Sequence, residues 1–210
     1  MTRLASVNVG MPVRLRTPKG REVRTAIWKQ PVDGRVGVNG INVEGDRQAD
    51  RRVHGGPDKA VYAYASEDTA WWEGELGRAL GPGALGENLT TEGVDVTNAR
   101  IGERWAIGTT VLEVCQPRLP CFKLGIRYDD PQMVKRFALA RRPGAYLRIV
   151  TEGEIGAGDA IEIVHEPADH DVTIALVSEA LLHDESLRPR LLEAEELAGD
   201  LRDWIARNAA

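Results

Sequence analysis

Only two cysteines occur in the 210 residues, at positions 115 and 121, and the four histidines are scattered at 54, 165, 170 and 183. Two cysteines make no disulfide framework, so a reducing, cytoplasmic setting is expected. CxxC, HxxxH and HExxH spacings are all missing, which argues against a zinc site assembled from neighbouring side chains. No run approaches the ~20 apolar residues of a membrane span. The apolar part of MTRLASVNVG is too short for a secretory signal. No basic stripe or Lys/Arg block stands out along the chain, which speaks against nucleic acid as a partner. There is no internal repeat and no low-complexity tract.

A composition of 42% hydrophobic and 28% charged residues describes a globular chain. Its length suits one large domain, or one with a small appendage. The net charge of -5 is unevenly spread: residues 166–210 hold four Arg against eleven Asp and Glu, which leaves the first 165 residues at +2. An anionic ligand is better placed in the first part than in the second.

Glycine and proline punctuate those 165 residues into short apolar or alternating segments that read as strands. The candidates are Val13–Leu15, Val23–Trp28, Val36–Val43, Ala60–Tyr64, Arg104–Ile107, Val111–Cys115, Ala145–Val150 and Ala160–His165. Many short strands separated by turns predict a closed or strongly bent β structure. Two helices interrupt it. One starts at Ser66 as N-cap and stops at Gly77; the other starts at Asp130-Pro131 and stops at Arg141-Arg-Pro-Gly144. After Pro167 the spacing of Ile174, Val177, Leu181, Leu201, Trp204 and Ile205 is helical, with Ser186 and Asp200 as caps of two short helices. The predicted organisation is a β domain over 1–166 and a small three-helix domain over 167–210.

Three clusters carry possible chemistry. In Gln116-Pro-Arg-Leu-Pro-Cys-Phe-Lys123 two prolines fix a turn, and Cys121 lies between Arg118 and Lys123. Nearby positive charge favours a thiolate, which is a nucleophile and a soft metal ligand. The alternative is a small hydrophobe beside surface cations. A lone cysteine builds no metal site, so a metal at Cys121 would arrive in a cofactor that brings most of its own ligands. In Gly45-Asp-Arg-Gln-Ala-Asp-Arg-Arg-Val-His-Gly-Gly-Pro-Asp-Lys59, adjacent glycines let backbone N–H groups approach an anion, with His54 and Lys59 as side-chain donors. The alternative is a polar loop whose Asp and Arg pair with each other. In Gly86-Glu-Asn-Leu-Thr90, Asn88 either bonds a ligand or satisfies a turn backbone. Lys29, at the end of a strand, is ambiguous alone; a solvated strand-end lysine is the usual case.

TAIWKQPV, GDRQADRRVHGGPDKAVYAY, ALGENLTTEGVD, QPRLPCFKL and AYLRIVTEGEIGAGDAIEI, in that order, resemble the MOSC family, named for the C-terminal domain of molybdenum cofactor sulfurase. Within it the likeness is to the YiiM-like branch, and it spans about residues 5 to 208. The resemblance implies a mainly β fold with α: a MOSC-type β-barrel followed by a small C-terminal three-helix domain. It implies a molybdenum cofactor, a molybdopterin whose metal is coordinated by the family's cysteine, here Cys121. Lys29, His54, Lys59, Asn88, Arg118 and Lys123 are the matching candidates for holding the cofactor. The implied activity is reduction of N-hydroxylated compounds such as hydroxylaminopurines and amidoximes. With no second cysteine cluster for iron–sulfur and no G-x-G-x-x-G for a flavin, electrons are expected from a separate reductase. A homodimer is left open; a membrane or nucleic-acid partner is not expected. Two other activities fit the same residues: a persulfide carrier or transferase using Cys121, and a non-catalytic carrier of the cofactor. Two positions depart from the family pattern. Cys115 stands where serine is expected, and Arg141-Arg-Pro-Gly-Ala-Tyr replaces Ser-Gly-Arg-x-Gly-Phe-Tyr.

Overall fold

The computed structural model describes residues 1–17, 20–49 and 55–208. In chain order the strands are β1 (Arg3–Val9), β2 (Val13–Arg16), β3 (Glu22–Thr25), β4 (Gln30–Pro31), β5 (Arg35–Asn39), β6 (Asn42–Val43), β7 (Val61–Ala65), β8 (Leu89–Glu92), β9 (Arg104–Ile107), β10 (Thr110–Pro117), β11 (Ala145–Thr151), β12 (Gly153–Gly156) and β13 (Ile161–His165). The helices are α1 (Ser66–Leu76), α2 (Phe122–Tyr128), α3 (Met133–Ala140), α4 (Ile174–Leu182) and α5 (Gly199–Asn208). Short 3-10 segments lie at Pro57–Lys59 and Glu185–Glu193.

The fold is mostly sheet with several helices. Eight strands form one sheet in the order β13-β9-β10-β11-β7-β8-β1-β4; β12-β5-β6 and β2-β3 form two smaller ones. Every pairing is antiparallel except β7 with β8. The predicted closed structure is not drawn by the ladders, which leave β13 and β4 as the end strands. The sheet bends instead until the start of β1 meets the run into β13. Leu4 N–H donates to the Asp159 carbonyl at 2.8 Å, Gly158 N–H to the Leu4 carbonyl at 2.8 Å and Ile161 N–H to the Thr2 carbonyl at 3.2 Å.

Strand β7 explains the division of the interior. All five of its residues are buried, and the pleat sends alternate side chains to opposite faces. Val61, Ala63 and Ala65 enter a large apolar cluster with Leu4, Leu89, Trp105, Leu112 and Leu147. Tyr62 and Tyr64 enter a second cluster with Ile27, Trp72, Leu85, Leu124, Met133 and Phe137, on which α1, α2 and α3 pack. Trp72, unlike the exposed Trp71 beside it, is buried: its Nε1 donates to Tyr64 Oη at 2.9 Å and its ring stacks on Phe137 at 6.0 Å. The C-terminal segment joins the first cluster through Val172, Ile174, Val177, Leu191, Leu197 and Ile205.

Several local expectations are revised. β1, β4, β8 and β12 were not anticipated. The Val36–Val43 segment is two strands, because Gly40 turns at φ 62° and Val38 pairs back onto Val43. Ser66 is the first helical residue of α1 and caps nothing; Ala65 holds the cap position. Gly77 ends that helix in the left-handed region, as expected. Asp184, not Ser186, caps the segment that follows α4, and with Pro189 inside it that segment is 3-10 helix. α2 was not anticipated; only its first two residues fall in the run read as a turn. No helix among the described residues is long and apolar enough to cross a membrane.

Gly144 leads into β11 at φ 65°, and a Cβ there would lie 2.6 Å from Tyr64 Cδ2, 2.7 Å from the Ala63 carbonyl and 2.8 Å from Tyr62 Cε2. Gly77, at a similar φ, has nothing within 4 Å. Gly77→Ala is expected to cost about 1 kcal/mol. Gly144→Ala, which adds collision with two rings and a carbonyl, should cost at least ~2 kcal/mol. Urea unfolding of the two variants side by side checks the difference.

Candidate active site

Six of the seven candidate residues line one cavity: Lys29, Lys59, Asn88, Arg118, Cys121 and Lys123. With its open mouth it spans about 660 Å³. The seventh, His54, lies outside the described residues, as do residues 50–53 of the same loop.

Cys121 is reached through the rigid run Pro117-Arg-Leu-Pro120 that leaves β10, and it occupies the N-cap position of α2 in an extended conformation. Its side chain is half-buried, and the thiol is free. Arg118 is buried on the second apolar cluster. One of its amino groups donates to the Leu85 carbonyl, and its guanidinium lies 5.0 Å from the centre of the Tyr62 ring and 5.7 Å from that of Phe137. Lys123 is also buried, at the second residue of α2.

Lys29 is buried rather than solvated, and its ammonium lies 2.5 Å from Asp46 Oδ1. Burial holds the Lys29 ammonium below its ordinary pKa, against the opposing pull of Asp46. Asp46 Oδ1 also accepts from Gly10 N–H at 2.7 Å, which fixes the loop after β6 to the end of β1. Asn88 fits the backbone-satisfying alternative. Its Oδ1 accepts from Tyr62 N–H at 3.2 Å and its Nδ2 donates to the Asn8 carbonyl at 3.2 Å, so the amide seams β7 to β1 behind the cavity wall.

Lys59 closes the short 3-10 segment after the paired glycines, and two residues not singled out from sequence hold that segment. Gln48 brackets it, accepting from Gly56 N–H at 3.2 Å and donating to the Lys59 carbonyl at 3.1 Å. Asp58 Oδ1 is 3.0 Å from Arg148 Nε, and its Oδ2 accepts from Gly199 N–H at 3.0 Å. The C-terminal segment is thereby tied to the residue next to Lys59. Glu87 is the third omission as a named residue. Fully buried, it accepts from Gly83 and Leu85 N–H at 2.6 and 2.9 Å and from Thr90 Oγ1 at 3.1 Å, and burial raises its pKa. It shapes the loop that brings Gly86 and Asn88 to the cavity. A lone carboxylate inside the small and apolar run Gly83-Ala-Leu-Gly-Glu-Asn-Leu89 is the signal that marks it.

That loop also corrects a motif expectation. Gly81-Pro-Gly83-Ala-Leu-Gly86 does have G-x-G-x-x-G spacing. It lies between α1 and β8, follows a helix and leads into a strand, which is the reverse of the strand-to-helix context of a dinucleotide site.

The two thiols are in different surroundings. Cys115 is buried, with Sγ 3.1 Å from the Asp58 carbonyl and 3.3 Å from that of Tyr146, and burial pushes its pKa well up. Cys121 borders the cavity with Tyr62, Tyr146 and three lysines around it. Among the described residues no group of three His, Cys, Asp or Glu could hold a bare metal ion. The donor set is one soft sulfur, several cations and two phenol rings, and it suits an anionic group that carries its own metal ligands.

Residues 50–162 match the family model described as "MOSC domain". Protein YflK of Bacillus subtilis, described as uncharacterized, is 35% identical over 179 residues, covering 85% of this chain and 80% of that protein. A Gibberella moniliformis protein described as "Reductase" is 37% identical over 157 residues, 70% of this chain but 27% of its own length. The crystal structure of YiiM from Geobacillus stearothermophilus superposes over the full length of both chains with a TM-score of 0.82 at 28% identity.

Two outcomes follow from the thiol environments. Brief iodoacetamide treatment of native protein should alkylate Cys121 alone, with Cys115 labelled only after unfolding; peptide mass mapping reads this. Because the folded state keeps the Cys115 proton where the unfolded state releases it, stability must fall as pH rises above the ordinary thiol value of roughly 8.5. Wild type should lose up to ~1.4 kcal/mol per pH unit more than Cys115→Ala between that value and pH ~10, in urea melts at stepped pH.

Proposed function

The chain belongs to the MOSC domain family, and from that premise we propose that it binds a molybdenum cofactor in the Cys121 cavity and reduces N-hydroxylated compounds. The observation that carries the reading is the convergence of Cys121, Arg118, Lys59 and Lys123 on one cavity from two separated stretches of sequence. The fungal relative described as a reductase supports the reaction class. We also read the bent sheet as the family's barrel and residues 167–210 as its small helical appendage.

The residues fit a pterin dithiolene with a phosphate tail. Cys121 offers the soft sulfur for the metal. Lys59, Lys123 and Arg118 supply positive charge for an anionic ligand, each charge-assisted bond being worth about 1.5–3 kcal/mol. Tyr62 and Tyr146 provide flat apolar walls. When bound, the cofactor supplies the two-electron redox change, and the protein supplies binding and orientation. In the net reaction the N–O bond breaks, two electrons and two protons are taken up, and the amine and water are released.

The chain's own contribution is preorganisation. Arg118 is held by the Leu85 carbonyl and the Tyr62 ring, so its charge needs no rearrangement to meet an anion. Lys29 is already paired with Asp46, and its task is to fix the loop of Asp46, Arg47 and Gln48 against the cavity. Gln48 and Asp58 set the position of Lys59.

Wild type from a cofactor-competent host should carry near-stoichiometric molybdenum and pterin and reduce 6-hydroxylaminopurine. Cys121→Ala should lose metal and at least ~100-fold in rate, the scale of loss for an essential group. Turnover of the variant at the wild-type rate would overturn the assignment. Metal-free protein that takes up persulfide on Cys121 from a cysteine desulfurase would shift it to sulfur transfer. Tight cofactor binding without turnover would make it a carrier.

A further inference from the structure

Strands β2 and β3 form a hairpin separate from the large sheet, and its register gathers charge that the linear sequence disperses. Val13 pairs with Thr25 and Leu15 with Val23 on one face; Arg14 pairs with Arg24 and Arg16 with Glu22 on the other. Val23 and Thr25 are buried and Leu15 is half-buried, whereas Arg14, Arg16, Glu22 and Arg24 are all exposed. The outer face therefore holds three arginines and one glutamate, although the whole chain is acidic. Reading along the chain found no basic stripe, because these arginines alternate with other residues and come from two strands.

Two features set this face apart from an ordinary solvated one. Arg14 stands directly opposite Arg24, and like charges opposed across a strand pair are destabilising. Glu22 answers only Arg14, at 3.4 Å; Arg16 and Arg24 make no ion pair among the described residues. A two-stranded hairpin has little stability to spare for such repulsion. The position also matters. Thr25, on the reverse face, lines the Cys121 cavity together with Ala26 and Ile27, so one layer of backbone separates the arginines from the cavity wall.

We infer that the outer face of the β2–β3 hairpin docks an acidic redox protein that feeds electrons to the Cys121 cavity. The inference rests on the proposed reductase reading, which requires two electrons per N–O bond from outside the chain. Docking there brings the donor up to the back of the cavity wall and leaves the mouth to the substrate. Unpaired arginines answer acidic side chains, and removal of their mutual repulsion adds to the gain on binding. The acidic 166–210 segment would repel the same donor, which favours one orientation of approach.

The test uses Arg14→Gln/Arg16→Gln/Arg24→Gln in molybdenum-loaded protein, with a reduced acidic flavodoxin as protein donor and reduced methyl viologen as small donor. With flavodoxin at low salt the variant should lose at least about tenfold in second-order rate. Wild type should show a steep fall with added salt that the variant lacks. With methyl viologen the two should be equal, and the variant's melting temperature should stay level or rise. Equal flavodoxin rates, or the same loss with both donors, would overturn the inference. Should wild type turn over with neither donor, the reductase reading fails and binding decides the surface separately. Salt-sensitive capture of flavodoxin that the variant loses supports the docking face. Absent or unchanged capture overturns it, as does binding to phosphatidylserine vesicles in place of flavodoxin.

Discussion

The pleat of β7 is the constraint on which the site depends. Five consecutive buried residues must be divided between two faces, and the alternation sends Val61, Ala63 and Ala65 one way and Tyr62 and Tyr64 the other. Tyr62 then serves as platform for the Arg118 guanidinium, as backbone partner of Asn88 and, through its hydroxyl to the Pro143 carbonyl at 2.8 Å, as an anchor of the turn before β11. A one-residue slip of β7 would exchange the two sets and leave Arg118 without its ring. The crowding around Gly144 has the same origin, since both tyrosines press on that turn.

Charge in the cavity is arranged by burial as much as by number. Lys29 and Asp46 neutralise each other out of solvent, and removing one partner of such a pair costs more than the pair contributes. Arg118 is half-satisfied by a carbonyl and two rings. Glu87 spends its carboxylate on the loop that carries Gly86 and Asn88. Part of the cationic character that the sequence suggests is therefore spent or oriented inside the chain before any ligand arrives.

The Asp58 node joins distant parts of the chain. Its carbonyl takes the Cys115 thiol and Gln116 Nε2, and its carboxylate takes Arg148 and the Gly199 N–H. Arg148 continues to Glu113 at 3.2 Å and to the Glu196 carbonyl at 2.8 Å. Motion of the C-terminal segment would reach Lys59 through a single residue. The buried Cys115 is one of the struts of that node, which gives it a structural task distinct from that of Cys121.

Much of the fold, and six of the residues that line the candidate cavity, were legible in the residues themselves. Short alternating segments set by glycine and proline gave most of the strands, because the two-residue period of a strand is a local property. The motifs around Cys121, Lys59 and Asn88 hold residues that line one cavity. Other features depend on which distant groups meet, and no local pattern encodes them. Lys29 reads as solvated until Asp46 is brought to 2.5 Å; Asn88 leaves ligand and backbone both open until Tyr62 and Asn8 claim its amide. The basic face of the hairpin exists only through the register that places Arg14 beside Arg24. The sequence by itself determined the elements and the chemistry they carry. Tertiary structure decided which charges are spent internally, since desolvation and pairing energies depend on distance and burial and not on order along the chain.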